Sequence, residues 1–111
     1  MAHGHLGELE QMLLLAVLKH DNATYAVRIS RELEESTGRS LSRGALYTTL
    51  DRLAKKGFLE WRMESGGPAR GGLPKRCFSV TQAGIEALRA SRRALLNLWK
   101  GTEHILGETP S

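Results

Sequence analysis

The sequence predicts a mainly α-helical fold of the α+β type, with three helices, a β-hairpin and a long last helix in that order. Two observations carry this prediction. Apolar residues recur at three- and four-residue steps over most of the chain, and after Gly57 the period changes to two. A chain of 111 residues is long enough to bury a core of modest size, so association with a second copy would add to its stability.

The first helix is predicted over residues 6–20. It contains seven consecutive apolar residues, 12–18, a pattern typical of a helix that is buried on most of its circumference. Two interpretations are open and compatible: it is the central helix of the core, or part of it meets a partner chain.

A second helix is predicted from Thr24, as N-cap, to about Thr37, with Gly38 as its stop. Its exposed residues include Glu32, Glu34 and Glu35, which argues against broad contact with DNA. Its apolar stripe is formed by Tyr25, Ala26, Ile29 and Leu33.

The third helix, within residues 42–57, has the clearest boundaries. Ser42 suits an N-cap and Gly57 suits the left-handed position after a helix end. Leu46, Leu50 and Leu53 form one core-facing stripe. The opposite face mixes cations, hydroxyls and a phenol around the small Gly44, so it predicts either a surface that approaches DNA closely or an ordinary solvated helix face.

Beyond Gly57 the alternation predicts a half-buried strand, with Leu59, Trp61 and Met63 on its buried side. Residues 65–72 are rich in Gly and Pro and form the tip of a hairpin whose second strand is residues 75–80. Cys77 is the only cysteine, which excludes an intramolecular disulfide; it is expected to pack in this strand as a small hydrophobe.

Thr81 is the predicted N-cap of a last helix that continues to about residue 106, roughly 24 residues and about 36 Å. Two apolar stripes lie on it, and Gly101 weakens the prediction for its final turns. Two apolar faces need two partners, so this helix is predicted to pair with a second copy of the chain.

Charge is concentrated in the middle of the chain. Residues 1–38 hold 3 basic and 6 acidic side chains, residues 39–76 hold 9 and 3, and residues 77–111 hold 4 and 3, which together give the net charge of +4. A basic segment next to an acidic one favours a surface that meets phosphate at one place. The absence of a signal peptide pattern and of a membrane-length apolar run predicts a cytoplasmic protein without membrane contact.

Catalysis is not expected. The four histidines are scattered among termini and helix ends, and the chain has no HExxH motif, no paired carboxylates in an apolar setting and no phosphate-binding GxxxxGK[ST] loop. We therefore predict no cofactor and no metal site.

A helix-turn-helix followed by a hairpin wing (residues 59–80) and a long helix is a winged helix-turn-helix. The stretch GALYTTLDRL, residues 44–53, followed by KGFL, residues 56–59, resembles the signature G-x-[LV]-Y-x-x-L-x-x-L…x-G-[LIW]-[LIV] of PadR-type transcriptional regulators. Pro74-Lys75-Arg76 and Val80-Thr81-Gln82-Ala83-Gly84 extend the resemblance, which covers residues 6 to about 99. Three positions depart from the usual pattern: Ala23-Thr24-Tyr25 keeps only the tyrosine of His-Gly-Tyr, Thr48 replaces a proline, and Cys77-Phe78 keeps one aromatic of a pair.

The resemblance implies a dimeric repressor of the short subfamily, with a DNA-binding domain at residues 1–80 and a dimerisation helix at residues 81–111, acting on a pseudo-palindromic operator in double-stranded DNA. The predicted DNA-binding residues are Ser42, Arg43, Tyr47, Thr48, Arg52, Arg70, Lys75 and Arg76. The predicted dimerisation residues are Leu13, Val17, Leu88, Leu95, Leu98 and Trp99. Some relatives stack flat aromatic compounds between tryptophans of this helix, so Trp99 is either an interface anchor or the site of a small aromatic effector. The alternative function is a winged helix that binds proteins and no DNA.

Overall fold

The computed structural model describes residues 5–68 and 71–107. Its first three helices are α1 (Glu8–Leu18), α2 (Ala26–Thr37) and α3 (Arg43–Lys55). Strands β1 (Leu59–Glu64) and β2 (Lys75–Val80) form the wing, and α4 (Gln82–Trp99) and the single turn α5 (Glu103–Leu106) follow. This order confirms the predicted fold class. No helix in the described part of the chain is long and apolar enough to cross a membrane.

One hydrophobic core joins all the elements up to the middle of α4. Helix α1 lies at its centre, and Leu13, Leu14 and Val17 are fully buried. The apolar run of α1 is therefore explained largely by the core of the chain itself, with Leu15 as the exception that remains exposed.

The start of α2 differs from the prediction. Thr24 is not the N-cap; that position belongs to Tyr25, whose side chain makes no capping bond. Thr24 instead forms a β-bridge with Phe78, in which each residue donates its N–H to the carbonyl of the other, at 3.1 and 2.7 Å. The bridge attaches the chain before α2 to the wing. The predicted stop at Gly38 is confirmed by its left-handed φ of 76°.

The wing is a two-stranded antiparallel sheet, with Leu59 opposite Val80 and Glu64 opposite Lys75. The buried side that the alternation predicts for β1 is wrong beyond its first residue. Leu59 is buried, but 44% of Trp61 and 55% of Met63 are exposed. The strand leaves the core after its first residue, Leu59. Beyond that residue β1 pairs with β2 but does not pack against the core.

The last helix is shorter than predicted. Thr81 is its N-cap, with Oγ1 accepting from Gly84 N at 3.1 Å, but α4 ends at Trp99. Gly101 then takes a φ of +88°, a left-handed conformation that no helix continues through. An 18-residue helix spans about 27 Å, and its first turns pack against the core through Leu88.

The start of α1 is joined to the end of α3 by an ion pair. Lys56 Nζ lies 2.8 Å from Glu10 Oε2, and the backbone N–H of Gly7 donates to Glu10 Oε1 at 2.7 Å. Burial raises the pKa of Glu10, but the hydrogen bonds from Lys56 and Gly7 outweigh it and leave that pKa below its ordinary value of 4.5. This carboxylate therefore contributes stability to the fold while it is ionised.

Candidate nucleic-acid interface

Helix α3 is fixed by its sequence with one face in the core and one face in solvent. The Ser42 Oγ accepts from Ala45 N at 3.1 Å, which satisfies one of the free N–H groups of the first turn. Leu46, Leu50 and Leu53 are buried, as predicted. The stripe therefore sets the rotation of the helix and leaves its other side free to meet a partner.

The outward face of α3 carries little bulk near its N-terminus. Ser42, Arg43 and Thr48 are exposed. Gly44 lies among them, and a methyl group added to it would meet nothing within 4 Å. A face that combines hydroxyls, one cation and a bare backbone can approach a phosphate backbone or a base edge closely.

The predicted DNA-binding residues do not all lie on this face. Tyr47, Lys75 and Arg76 are partly buried, and Arg70 lies outside the described residues. Arg52 is exposed, but it lines a groove at the start of α1 with His5, Glu10 and Lys56. It therefore flanks the side of α3 that faces away from the wing.

A groove of about 790 Å³ separates α3 from the wing and α2, and we call it the wing groove. Among the described residues, four cations line it: Arg31, Arg43, Lys75 and Arg76. Two tyrosines, Tyr25 and Tyr47, and one carboxylate, Glu34, also lie along it. The excess of positive charge makes this groove attractive to a polyanion.

Lys75 is positioned by a small cluster at the start of α2. Its Nζ lies 3.9 Å from the centroid of the Tyr25 ring, within the range of a cation–π contact. The Tyr25 hydroxyl donates to Glu64 Oε1 at 2.7 Å, a bond that raises the pKa of Tyr25 and lowers the pKa of Glu64. Periodicity in the sequence does not predict this role of Glu64, because its tyrosine partner is 39 positions away.

Arg76 is paired rather than free. Its Nη1 donates to Asp51 Oδ1 of α3 at 3.0 Å. The ion pair neutralises the one carboxylate of α3 with a cation of the wing. Arg76, which is predicted from the sequence as a DNA-binding residue, is therefore already bonded to a residue of its own chain.

A second groove, of about 480 Å³, lies between α1 and α4, and we call it the α1–α4 groove. Its walls include Leu15, Leu95 and Trp99, and 42% of Trp99 is exposed. Leu98 lies nearby in sequence and is 75% exposed. Within the part of the chain that the structure describes, no element covers this apolar surface.

The predicted dimerisation residues divide into two sets. Leu13 and Val17 are fully buried in the core of their own chain, and Leu88 is buried there as well but also lines the α1–α4 groove. Leu95, Leu98 and Trp99 are exposed. Periodicity missed Leu15, which lies in the middle of the apolar run and is the leucine of that run that is exposed.

In residues 5–68 and 71–107, no group of three or more His, Cys, Asp or Glu side chains could hold a metal ion. Cys77 is buried, and its burial raises the pKa of the thiol.

Comparisons with known proteins agree with the geometry. The family model described as the transcriptional regulator PadR-like family matches residues 14–90. Among solved structures, a PadR-like transcription factor from Bacteroides fragilis is 26% identical, with a TM-score of 0.71 over 87% of this chain and 88% of that one. A PadR family transcription regulator from Clostridium difficile R20291 has a TM-score of 0.72 at 19% identity, covering 90% of this chain and 99% of that one.

A winged-helix DNA-binding protein, F93 from STIV, shares the fold at 13% identity, with a TM-score of 0.67 over 88% of this chain and 98% of that one. A comparison with curated proteins found no match.

Proposed function

Because the chain belongs to the PadR-like family of transcriptional regulators, we propose that it binds operator DNA in the cytoplasm as a homodimer and represses transcription by occupying a pseudo-palindromic site. Repression follows in this proposal from steric exclusion of other proteins at the operator. No chemistry is required of the chain for this activity.

The outward face of α3 is the observation that carries the proposal. Arg43 is exposed at its N-terminal end, where recognition helices of this class contact base edges. An Arg fork can donate two hydrogen bonds to guanine O6 and N7. Lys75 lies across the wing groove from it, and a lysine ammonium suits a phosphate oxygen. Arg43 is therefore assigned to base readout and Lys75 to the backbone.

A DNA titration at two or more salt concentrations tests this division. Arg43→Ala should lower the preference for one sequence over others, because it removes a base contact. Lys75→Ala should weaken binding to all sequences alike and lower the slope of log affinity against log salt by about one. Unchanged binding of both variants would refute the assignment.

We assign the exposed apolar surface of the α1–α4 groove to the dimer. Leu15, Leu95, Leu98 and Trp99 lie in two adjacent helices, and exposed apolar patches of this kind mark sites of association. Pairing two copies through it would place two α3 helices on one side of the duplex, at half-sites about 34–36 Å apart. A stable monomer in sedimentation at micromolar concentration would contradict this step.

A planar aromatic effector is a second role for the same groove. Trp99 forms one wall of it, and a large aromatic at an interface is first of all an anchor. An effector would add to that role by stacking on the exposed part of the ring. Fluorescence of a Trp61→Phe variant, in which Trp99 is the remaining tryptophan, should change on addition of a planar aromatic cation; a flat response would leave Trp99 with the anchoring role alone.

A winged helix that binds only proteins is the competing function. The paired state of Asp51 favours DNA, since the one carboxylate of α3 is neutralised by Arg76. Failure of the chain to bind any duplex in the titration, at low salt as well as high, would favour the competing function.

A further inference from the structure

Arg76 lies between the wing and α3 and contacts both. Its ion pair with Asp51 joins β2 to α3. Its guanidinium carbon is 4.9 Å from the centroid of the Trp61 ring on β1 and 5.3 Å from that of Tyr47 on α3. Only 27% of the Arg76 side chain is exposed. One side chain thus connects the two parts of the candidate interface.

The chemistry of the neighbours suits a fixed guanidinium. A planar cation is attracted to the faces of aromatic rings. When a guanidinium stacks on such a ring, its N–H groups point outward in the guanidinium plane and can still donate hydrogen bonds. Asp51 accepts one of these bonds. Arg76 thus has a carboxylate and two aromatic rings as partners, whereas Lys75 contacts the Tyr25 ring and has no ion pair among the described residues.

Asp51 explains why a cation is needed at this place. It is the single acidic residue in α3, and its side chain is 59% exposed. An unpaired carboxylate on a helix that meets DNA would repel phosphates. Arg76 removes that repulsion and at the same time attaches the wing.

We propose that Arg76 is a positioning residue, which holds the wing against α3 through Asp51, Tyr47 and Trp61 and does not bind a phosphate itself. Because the wing is held in this position, Arg43 of α3 and Lys75 of the wing meet the duplex at a fixed separation. This inference rests on the DNA-binding function proposed above.

The effect on stability should be small, because partly exposed ion pairs contribute little to folding. The effect on recognition should be larger. A wing that moves relative to α3 still presents its cations to any duplex, but it no longer matches one sequence better than others. Loss of sequence preference with retained general affinity is therefore the signature of a positioning residue.

The test uses Arg76→Gln, Asp51→Asn and the double variant, with Lys75→Gln as the matched control at the adjacent position. The probes are the duplex that the wild-type protein enriches from a random pool and a random-sequence duplex of equal length. Affinity for both is measured at several salt concentrations, and thermal unfolding is measured in parallel.

Lys75→Gln is expected to lower the salt slope by about one for both probes. The double variant removes both charges of the pair, so it is expected to leave the slope unchanged and to lower the preference for the enriched duplex by at least about twofold, the lower end of coupling between residues in contact. Arg76→Gln leaves Asp51 unpaired, so it is expected to lose the same preference and also to weaken binding to both probes through repulsion of phosphates. The double variant should lose no more preference than Arg76→Gln alone, since both changes break the same connection.

A fall in salt slope of about one for the double variant, equal to that of Lys75→Gln, would overturn the inference. So would additive losses of preference in the double variant. If Arg76→Gln does not fold, Asp51→Asn alone distinguishes the two roles of Arg76. Loss of preference for the enriched duplex in this variant supports the positioning role. Raised affinity for both duplexes with unchanged preference would identify Arg76 as a phosphate contact. Absence of wild-type binding to either duplex would instead overturn the DNA-binding proposal itself.

Discussion

Gly44→Ala should make the protein more stable and a weaker DNA binder. Gly44 is the second residue of α3, where glycine is less favourable than alanine by up to about 1 kcal/mol. The added methyl group meets nothing within 4 Å, so no clash offsets this gain. A change of about 0.4–1 kcal/mol in the free energy of unfolding corresponds to a rise of roughly 2–8 °C in the melting temperature.

The expected loss of DNA affinity follows from the unoccupied space around Gly44. No described residue of the chain requires a glycine at position 44, and we infer that the bare backbone serves a partner that approaches it closely. A methyl group placed in a packed contact costs about 1–3 kcal/mol, which is roughly a five- to hundredfold loss of affinity.

Gly84→Ala is the matched control, since it makes the same change in the first turn of another helix. A Cβ at Gly84 would lie 2.3 Å from the Phe58 carbonyl oxygen and 2.7 Å from Val80 Cγ1. This variant should lose about 1–3 kcal/mol of stability. Thermal unfolding by circular dichroism and a DNA titration separate the effects. A lower melting temperature for Gly44→Ala would refute the stability argument. A higher melting temperature with unchanged DNA affinity would refute the inference that DNA closely approaches the backbone at Gly44.

Three further predictions concern the contacts that hold the interface in place. Glu10→Gln should lower the free energy of unfolding by about 1–3 kcal/mol near neutral pH, because it breaks the ionic hydrogen bond with Lys56. The difference in stability between this variant and the wild type should disappear as the pH falls from about 4.5 through the lowered pKa of Glu10, because protonation then removes the same charge from the wild type. Urea unfolding at about pH 7 and about pH 3 measures this difference. Thr81→Ala should cost about 1 kcal/mol, because Thr81 caps α4 and also donates to the Gly57 carbonyl at 2.6 Å; an unchanged melting temperature would contradict it. Leu98→Glu should give a folded monomer with weakened DNA binding, since a charge would enter the proposed dimer surface; a dimer in sedimentation would place that surface elsewhere.

The parts of the fold that sequence predicted well are those specified by neighbouring residues. The cap at Ser42 and the left-handed stop at Gly57, with φ of +81°, lie at the ends of α3 and fix its length locally. The second strand, residues 75–80, is bounded by Pro74 and Thr81 and was predicted with its observed limits. Such signals act within a few residues, so no knowledge of the tertiary structure is needed to interpret them.

The corrected parts depend on contacts that are distant in sequence. Thr24 fits an N-cap by type, but its pairing with Phe78, 54 positions later, takes its backbone into a β-bridge. The alternation of β1 predicted a buried face, yet a two-stranded wing extends past the core and leaves Trp61 uncovered. Periodicity shows that a residue is apolar and on one side of an element, but it does not show whether that side meets a core.

The same limit applies to the candidate interface. Exposure of Arg43 and Thr48 follows from the leucine stripe on the other side of α3 and was predicted. The pairing of Arg76 with Asp51 spans 25 positions and left no pattern in the sequence. For dimerisation, an apolar run could not distinguish Leu13, which is in the core, from Leu15, which is at the surface.

Selection of bound duplexes from a random pool by the full-length protein tests the central claim most directly. The account predicts an enriched inverted repeat whose half-sites are centred about one helical turn, roughly 10–10.5 base pairs, apart. Enrichment should also fall when Arg43 is replaced by alanine. A pool that stays random after repeated selection, or an enriched sequence without two-fold symmetry, would contradict the account.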